Sequence, residues 1–377
     1  MSDCPYYPGC GGCAFRELSE QVYRQKKVDV FQNIIKNIKQ TGIIYGQPVF
    51  IPEETRRRAT MTFRYAKKRL SLGFNAPQSH DIINCSSCRL LTPNINKNIP
   101  ILRDLLEELC FEPYHLKKGK KYQTQTITQG DISVCESDNG LDIMLDVEPE
   151  PELNHRIIVS EKLSPQNDII RFSWKSSTKK EPEIIIEKTK PRLHNSSVDV
   201  YIPCGTFLQA SKEGEQALIN LVLKYIDKSQ GKIADLFCGV GTFSYPLAQN
   251  KQNQIWAIDS SAELLKGFEQ SIHRNQITNI KIEARNLFKY PLTEDELKTL
   301  DVLIFDPPRA GAAAQVAELG KMPLVVPKVI AVSCNPHTFV NDANTLIGGG
   351  YKLKEITMVD QFIYSRHTEL VALFERD

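Results

Sequence analysis

Residues Asp235-Leu-Phe-Cys-Gly-Val-Gly-Thr-Phe243 decide how the chain is read. They continue the short apolar run Ile233–Phe237, so the glycines fall in a strand-to-helix turn. Glycine there lets the backbone turn tightly and approach a ligand closely. About twenty residues on, a second apolar run ends at Asp259, where a carboxylate can accept hydrogen bonds from both hydroxyls of a ribose. The pair points to a nucleoside-type ligand. It does not by itself separate NAD from other adenosine cofactors, although the third glycine of the dinucleotide fingerprint is missing and Tyr245 and its neighbours are large.

Outward from this turn the pattern is regular. Apolar runs recur at Gln254–Ile258, Ile280–Glu283, Val302–Phe305 and Val329–Val332, with helix-like segments between most of them. That alternation predicts an α/β fold with a parallel sheet covered by helices. Two more strand candidates, Lys352–Val359 and Thr368–Phe374, close the chain with no clear helix between them. The arrangement resembles the seven-stranded, Rossmann-like architecture of class I methyltransferases, whose last strand runs antiparallel to the rest. Residues 201–377 are therefore expected to form one catalytic domain. Residues 1–92 hold a cysteine cluster, a helical stretch over Leu18–Ile38 and a basic patch. Residues 93–200 read as a central α+β domain, with strand-like runs at Gln123–Ile127 and Glu183–Glu187 and a turn at Glu148-Pro-Glu-Pro-Glu152.

Composition narrows the class. A hydrophobic fraction of 41% with 24% charged residues is ordinary for a globular protein. No signal peptide and no long apolar run is evident, so a cytoplasmic location and no membrane partner are expected. The net charge of +2 gives little global pull on nucleic acid, so any such binding has to come from local patches. One gathers Arg56, Arg57, Arg58, Arg64, Lys67, Lys68 and Arg69; the other is Lys117, Lys118, Lys120 and Lys121 beside Tyr122. Taken alone, either is first a solvated basic face. No obligate protein partner is evident.

The strand ends carry the chemistry. Asp306-Pro-Pro-Arg309 and Ser333-Cys-Asn-Pro336 close the fourth and fifth runs. In open parallel sheets ligands sit beyond the carboxyl ends of the strands, so both motifs reach the edge of the glycine turn. A cysteine at a strand end is most often a small buried hydrophobe. Here Cys334 is aimed at the presumed cofactor crevice. An antiparallel last strand, starting near His367-Thr-Glu369, brings Glu369 to the same edge. A thiol and a carboxylate beside a methyl donor suit alkylation at carbon 5 of a pyrimidine. That carbon is a weak nucleophile until a thiolate adds to carbon 6; afterwards a base must remove the carbon-5 proton so that the thiol can leave. Cys334 is the candidate nucleophile and Glu369 the candidate base, with Arg309 a nearby cation able to lower the thiol pKa.

These residues resemble the RNA uridine-C5 methyltransferases, which make 5-methyluridine in bacterial 23S rRNA and in tRNA. The matching stretches are Phe207-Leu-Gln209, Asp235–Gly241, Asp306–Arg309, Ser333-Cys-Asn-Pro-x-Thr338 and Asp360-x-Phe362 through His367-x-Glu369. The resemblance implies that Gln209, Phe237, Asp259 and Asp306 bind S-adenosylmethionine. It also implies Cys334 as nucleophile and Glu369 as base. At the N-terminus, Cys4, Cys10 and Cys13 resemble the family's iron–sulfur motif, and alignment of Ile82–Leu91 makes Cys88 the fourth ligand of a [4Fe–4S] cluster. The rival is a structural zinc held by Cys10, Cys13, Cys85 and Cys88. Thr55-Arg-Arg-Arg-Ala59 resembles a basic segment thought to face RNA.

The chain departs from the family pattern at Ser211, Asn286, Ile363, Asp259 and Asn341. Nothing before Cys4 resembles the oligonucleotide-binding barrel many members carry, so RNA contacts are expected from the first two regions. By analogy with the family, the iron–sulfur motif and the missing barrel favour rRNA over tRNA as substrate. Two rivals remain at this stage. An amino-group methyltransferase would carry an aromatic where Arg309 stands and would need no cysteine; an inactive, metal-stapled RNA-binding protein would not need Cys334 and Glu369.

Overall fold

The structure is a computed structural model that describes residues 3–118, 121–226, 231–321 and 326–376. The side chains of residues 117, 118, 121 and 122 are also outside the described set, so the expected basic patch Lys117–Tyr122 lies outside the described residues. The chain forms two compact units, each assembled from separate stretches. One comprises 1–17, 52–193 and 202–211; the other comprises 18–51, 194–201 and 212–377.

The larger unit is an open sheet covered by helices. Its strand order runs from Lys352–Asp360 through Glu369–Glu375, Lys328–Ser333, Val302–Phe305, Lys232–Leu236 and Gln254–Asp259 to Ile280–Ala284. All neighbours from Lys328–Ser333 onward are parallel, and Glu369–Glu375 is antiparallel to both of its neighbours. The order reverses at Lys232–Leu236, which pairs with Gln254–Asp259 on one side and Val302–Phe305 on the other. A reversal opens a crevice at the carboxyl ends of the strands. Among the described residues the sheet has nine strands, two more than the sequence pattern suggests. Ile44–Tyr45 and Val49–Phe50 both pair with the outer edge of Lys352–Asp360. Two-residue strands leave no periodic signal to read.

Strand interiors are continuously buried, as Val302–Phe305 illustrates. That is expected of a sheet with helices on both faces. The core joins Leu236, Leu303, Phe305, Ala331, Leu370 and Phe374 to Phe31 and Ile35 of the helix Glu20–Ile35.

The smaller unit holds a seven-stranded mixed sheet built from residues 58–187, with the helices Pro93–Phe111 and Leu153–Leu163 supplying its core with Leu102, Leu105, Leu109 and Val159. The hairpin Arg58–Ala66 to Arg69–Asn75 turns through Lys67 and Lys68, both with positive φ. Among the described residues, no helix is long and apolar enough to cross a membrane.

Candidate active site

The glycine turn is built as its sequence requires. Phe237 has φ +61°, Gly239 +56° and Gly241 +97°. A left-handed aromatic is strained, and it sits where the strand must bend out of the sheet. Asp259 ties the turn down. Its Oδ2 accepts from the Gly239 N–H at 3.0 Å and its Oδ1 from the Ser261 N–H at 2.9 Å, at the N-terminus of the helix Ala262–Arg274. Beneath, buried Asp235 accepts from the Ser244 hydroxyl at 2.6 Å. Burial, joined by the charges of Asp306 and Asp259, pushes its carboxyl up to about 7.

Register brings five residues to one edge. Leu236 pairs with Phe305 and with Ile258, so Phe237, Asp306 and Asp259 follow side by side. Ser333 pairs with Leu370 in the antiparallel ladder, so Cys334 comes opposite Glu369. Glu369 is also paired through Val359 on its other side and is only 3% exposed. Cys334 is half-buried.

Electrostatics at this edge are dominated by burial. Glu369 is pushed up to about 8 by burial and by the Asp306 charge, against a hydrogen bond from Gln361 that pulls the other way. Among the described residues its Oε2 has no hydrogen-bond partner. Cys334 is pushed up to about 11 by burial, then by the charges of Glu369 and Asp306. Arg309 acts downward on the thiol as the sequence suggested, but it is outweighed. The reason is visible: Arg309 is exposed, with its Nη2 2.6 Å from Nδ1 of His367. Exposed charges are screened, whereas burial acts in full.

Gln209 belongs to the other unit, where it is buried and its carbonyl accepts from Arg57 Nε at 3.0 Å. This corrects one expectation. The Arg56–Arg58 run does not present three solvated cations: Arg57 is 4% exposed and Arg58 donates to the Leu208 carbonyl while its guanidinium lies 4.0 Å over the Phe207 ring. The run grips the segment Phe207–Ser211. The exposed part of that patch is Arg64, Lys67, Lys68 and Arg69.

Cys4, Cys10, Cys13 and Cys88 line one cavity of about 120 Å³, together with Cys85 and Arg56. Among the described residues, no three metal-ligating side chains converge to hold a single ion. The expected metal ligands are thus gathered around one space without forming a single-ion site.

Three residues at the catalytic edge carried no sequence signal. Gln361 occupies a variable position of a motif, Lys27 sits among charged residues of a helix, and Phe288 lies in a loop. Phe288 is 47% exposed, with its ring 5.4 Å from that of Phe237.

Known proteins resemble this chain over most of its length. The model of the tRNA (Uracil-5-)-methyltransferase family matches residues 192–377. An uncharacterized RNA methyltransferase of Brucella melitensis is 34% identical over 376 residues, covering 99% of this chain and 84% of the relative. The 23S rRNA (uracil(1939)-C(5))-methyltransferase RlmD of Aliivibrio salmonicida is 28% identical over 388 residues, covering 99% and 82%. Among solved structures, the Pyrococcus abyssi tRNA (uracil-54, C5)-methyltransferase, in complex with S-adenosyl-L-homocysteine, superposes with a TM-score of 0.72 at 20% identity, covering 97% of this chain and 86% of that one. That likeness bears on the fold. The relatives that align over the whole chain, together with the family model, place it in the family of S-adenosylmethionine-dependent RNA uracil-C5 methyltransferases.

Proposed function

We propose that the protein methylates carbon 5 of a uridine in 23S rRNA, with Cys334 as nucleophile and Glu369 as base. The observation that carries this is the ladder register, which sets a half-buried thiol opposite a buried carboxyl at the carboxyl edge of the sheet.

The residues fit S-adenosylmethionine. A Cβ built on Gly239 would meet nothing within 4 Å, so the turn leaves open space beside its backbone. Phe237, Asp259 and Asp306 stand at the ends of three adjacent strands beside that turn, and Gln209 is proposed as a cofactor residue on its Phe207-Leu-Gln209 motif. The cofactor supplies an electrophilic methyl group on a sulfonium. Cys334, as thiolate, adds to carbon 6 of the uracil and makes carbon 5 nucleophilic. Glu369 later takes the carbon-5 proton, and Cys334 is released. A carboxylate held near pKa 8 is a stronger base than an ordinary glutamate and suits proton transfer near neutral pH.

RNA is expected to meet Arg64, Lys67, Lys68 and Arg69. Two lysines held at positive φ on a hairpin tip are costly in conformation, and their charge is a reason to keep them. We assign rRNA over tRNA because the relative named for 23S rRNA aligns over the whole chain, whereas the tRNA enzyme is alike in fold. The cysteine cavity is proposed to hold a [4Fe–4S] cluster on Cys4, Cys10, Cys13 and Cys88. A cluster binds each cysteine to a different iron, so its sulfurs stand apart around a space; a zinc would draw four sulfurs to one point.

Two experiments test the proposal. RNA containing 5-fluorouridine, with cofactor present, should form a stable adduct at Cys334, and Cys334→Ala should be inactive; full activity in that variant ends the mechanism. Mapping 5-methyluridine in rRNA and tRNA from cells lacking the protein decides the substrate. A site lost from tRNA instead of 23S rRNA would favour the tRNA reading.

A further inference from the structure

We propose that Lys27, Asp360 and Gln361 form a positioning relay that holds Glu369 for removal of the carbon-5 proton, an inference that rests on the nucleophile-and-base reading above.

The relay starts from a buried cation. Lys27 lies in the helix Glu20–Ile35 and is 1% exposed. An ammonium has three donors, and burying it is costly unless each finds an acceptor. Here Nζ donates to the Ser365 carbonyl at 3.1 Å and to the His367 carbonyl at 2.5 Å, and it forms an ion pair with Asp360 Oδ1 at 2.9 Å. Asp360 is equally buried, and its Oδ2 accepts from the Tyr23 hydroxyl. That hydroxyl in turn accepts from the Tyr364 N–H at 2.8 Å. One helix therefore fixes both ends of the connection between Lys352–Asp360 and Glu369–Glu375.

The fixed end leads to the base. Gln361 follows Asp360, is 3% exposed and hydrogen-bonds the Glu369 carboxyl. The other carboxyl oxygen, Oε2, is buried and has no hydrogen-bond partner among the described residues. One oxygen is held and the other is kept for a proton. The backbone ladder, through Val359 and Glu369, sets the position of the residue without any of this. A buried ion pair is also a poor way to add stability compared with apolar packing. What the relay adds is a defined direction for one carboxylate, and proton transfer depends steeply on such direction.

In the step it serves, the carbon-5–hydrogen bond breaks and the proton moves to Glu369 Oε2. The freed electron pair forms the carbon-5–carbon-6 double bond. The carbon-6–sulfur bond then breaks, and its electrons leave with the Cys334 thiolate.

The test separates adduct formation from proton removal. Full-length protein is given S-adenosylmethionine and RNA tritiated at uridine carbon 5, taken from cells lacking the protein. Tritium release reports proton removal, and a denaturation-resistant protein–RNA complex reports the adduct. In Gln361→Met and Lys27→Met, tritium release should fall about ten-fold or more, while the complex forms within about two-fold of the wild-type rate. The complex should accumulate on ordinary uridine, as it should in Glu369→Gln. Gln361→Met leaves the ion pair intact and decides the matter if Lys27→Met does not fold. Release and complex formation falling together, or neither falling in Gln361→Met, would overturn the relay. Failure of the wild-type protein to capture 5-fluorouridine RNA would overturn the underlying mechanism instead.

Discussion

Cys334 stands opposite Glu369, one step beyond the ladder pair Ser333–Leu370. Each is buried enough that its charged form is disfavoured, and Glu369 raises the proton affinity of the thiol further.

This relationship makes the thiol titration informative. Cys334 should titrate near 11 in the cofactor-free protein. Glu369→Gln removes a neighbouring negative charge and should move the midpoint down. Arg309→Ala removes the opposing positive charge and should move it up. The measurement is iodoacetamide alkylation of the peptide carrying Cys334, followed against pH by mass spectrometry. An unchanged midpoint in Arg309→Ala would remove Arg309 from the electrostatics of the thiol.

Glu369 also makes stability depend on pH. Its carboxyl is raised from an ordinary 4.5 to about 8 on folding. Between those values the folded chain keeps a proton that the unfolded chain has lost, so stability falls as pH rises. The slope for this one group is about 1.4 kcal/mol per pH unit. The contribution is fully present below 4.5 and gone above 8. Glu369→Gln cannot ionise and should lack this slope. Its melting temperature should match the wild type near pH 5 and exceed it increasingly up to pH 8, with a constant difference beyond. Parallel melting curves across that range would refute the shift.

The sheet was legible because its strands are buried on both faces and end in polar motifs. Val302–Phe305 and Glu183–Glu187 were bounded to the residue, and the antiparallel last strand brought Glu369 to Cys334 as expected. The Arg56–Arg58 run misled because charge in sequence does not say which way a side chain points. Arg57 is spent on the Gln209 carbonyl, a partner far along the chain. Lys27 was invisible for the same reason: its three partners lie more than three hundred residues away. Nor does a local pattern announce that residues 18–51 join the unit containing residues 212–377.

The two glycines of the turn should behave differently. Both have positive φ, so alanine is strained at either. At Gly241 a Cβ would also lie 2.6 Å from Phe268 and 2.8 Å from Tyr245, both fully buried rings. Gly241→Ala should therefore lose about 3 kcal/mol by combining strain with overpacking. At Gly239 a Cβ meets only open space, and Gly239→Ala should lose about 1 kcal/mol. That space is assigned to the cofactor, so the same variant should bind S-adenosylhomocysteine at least ten-fold more weakly, roughly the effect of 1.4 kcal/mol. Denaturant unfolding and calorimetric titration give the two numbers. Wild-type affinity in Gly239→Ala would move the cofactor away from this turn.

The cysteine cavity yields opposite outcomes for its two metals. Cys85 is 2% exposed and its thiol donates to the Ile83 carbonyl at 3.1 Å, an arrangement that keeps its proton occupied. A [4Fe–4S] cluster needs Cys4, Cys10, Cys13 and Cys88, whereas the zinc alternative needs Cys85 and spares Cys4. Protein purified without oxygen should carry about four irons and four sulfides per chain. Cys4→Ser should lose most of both together with the visible absorbance, and Cys85→Ser should keep them. Because a bound cluster stabilises only the folded chain, Cys4→Ser should also melt at lower temperature than Cys85→Ser. Zinc that survives in Cys4→Ser and vanishes in Cys85→Ser would assign the cavity to a single ion.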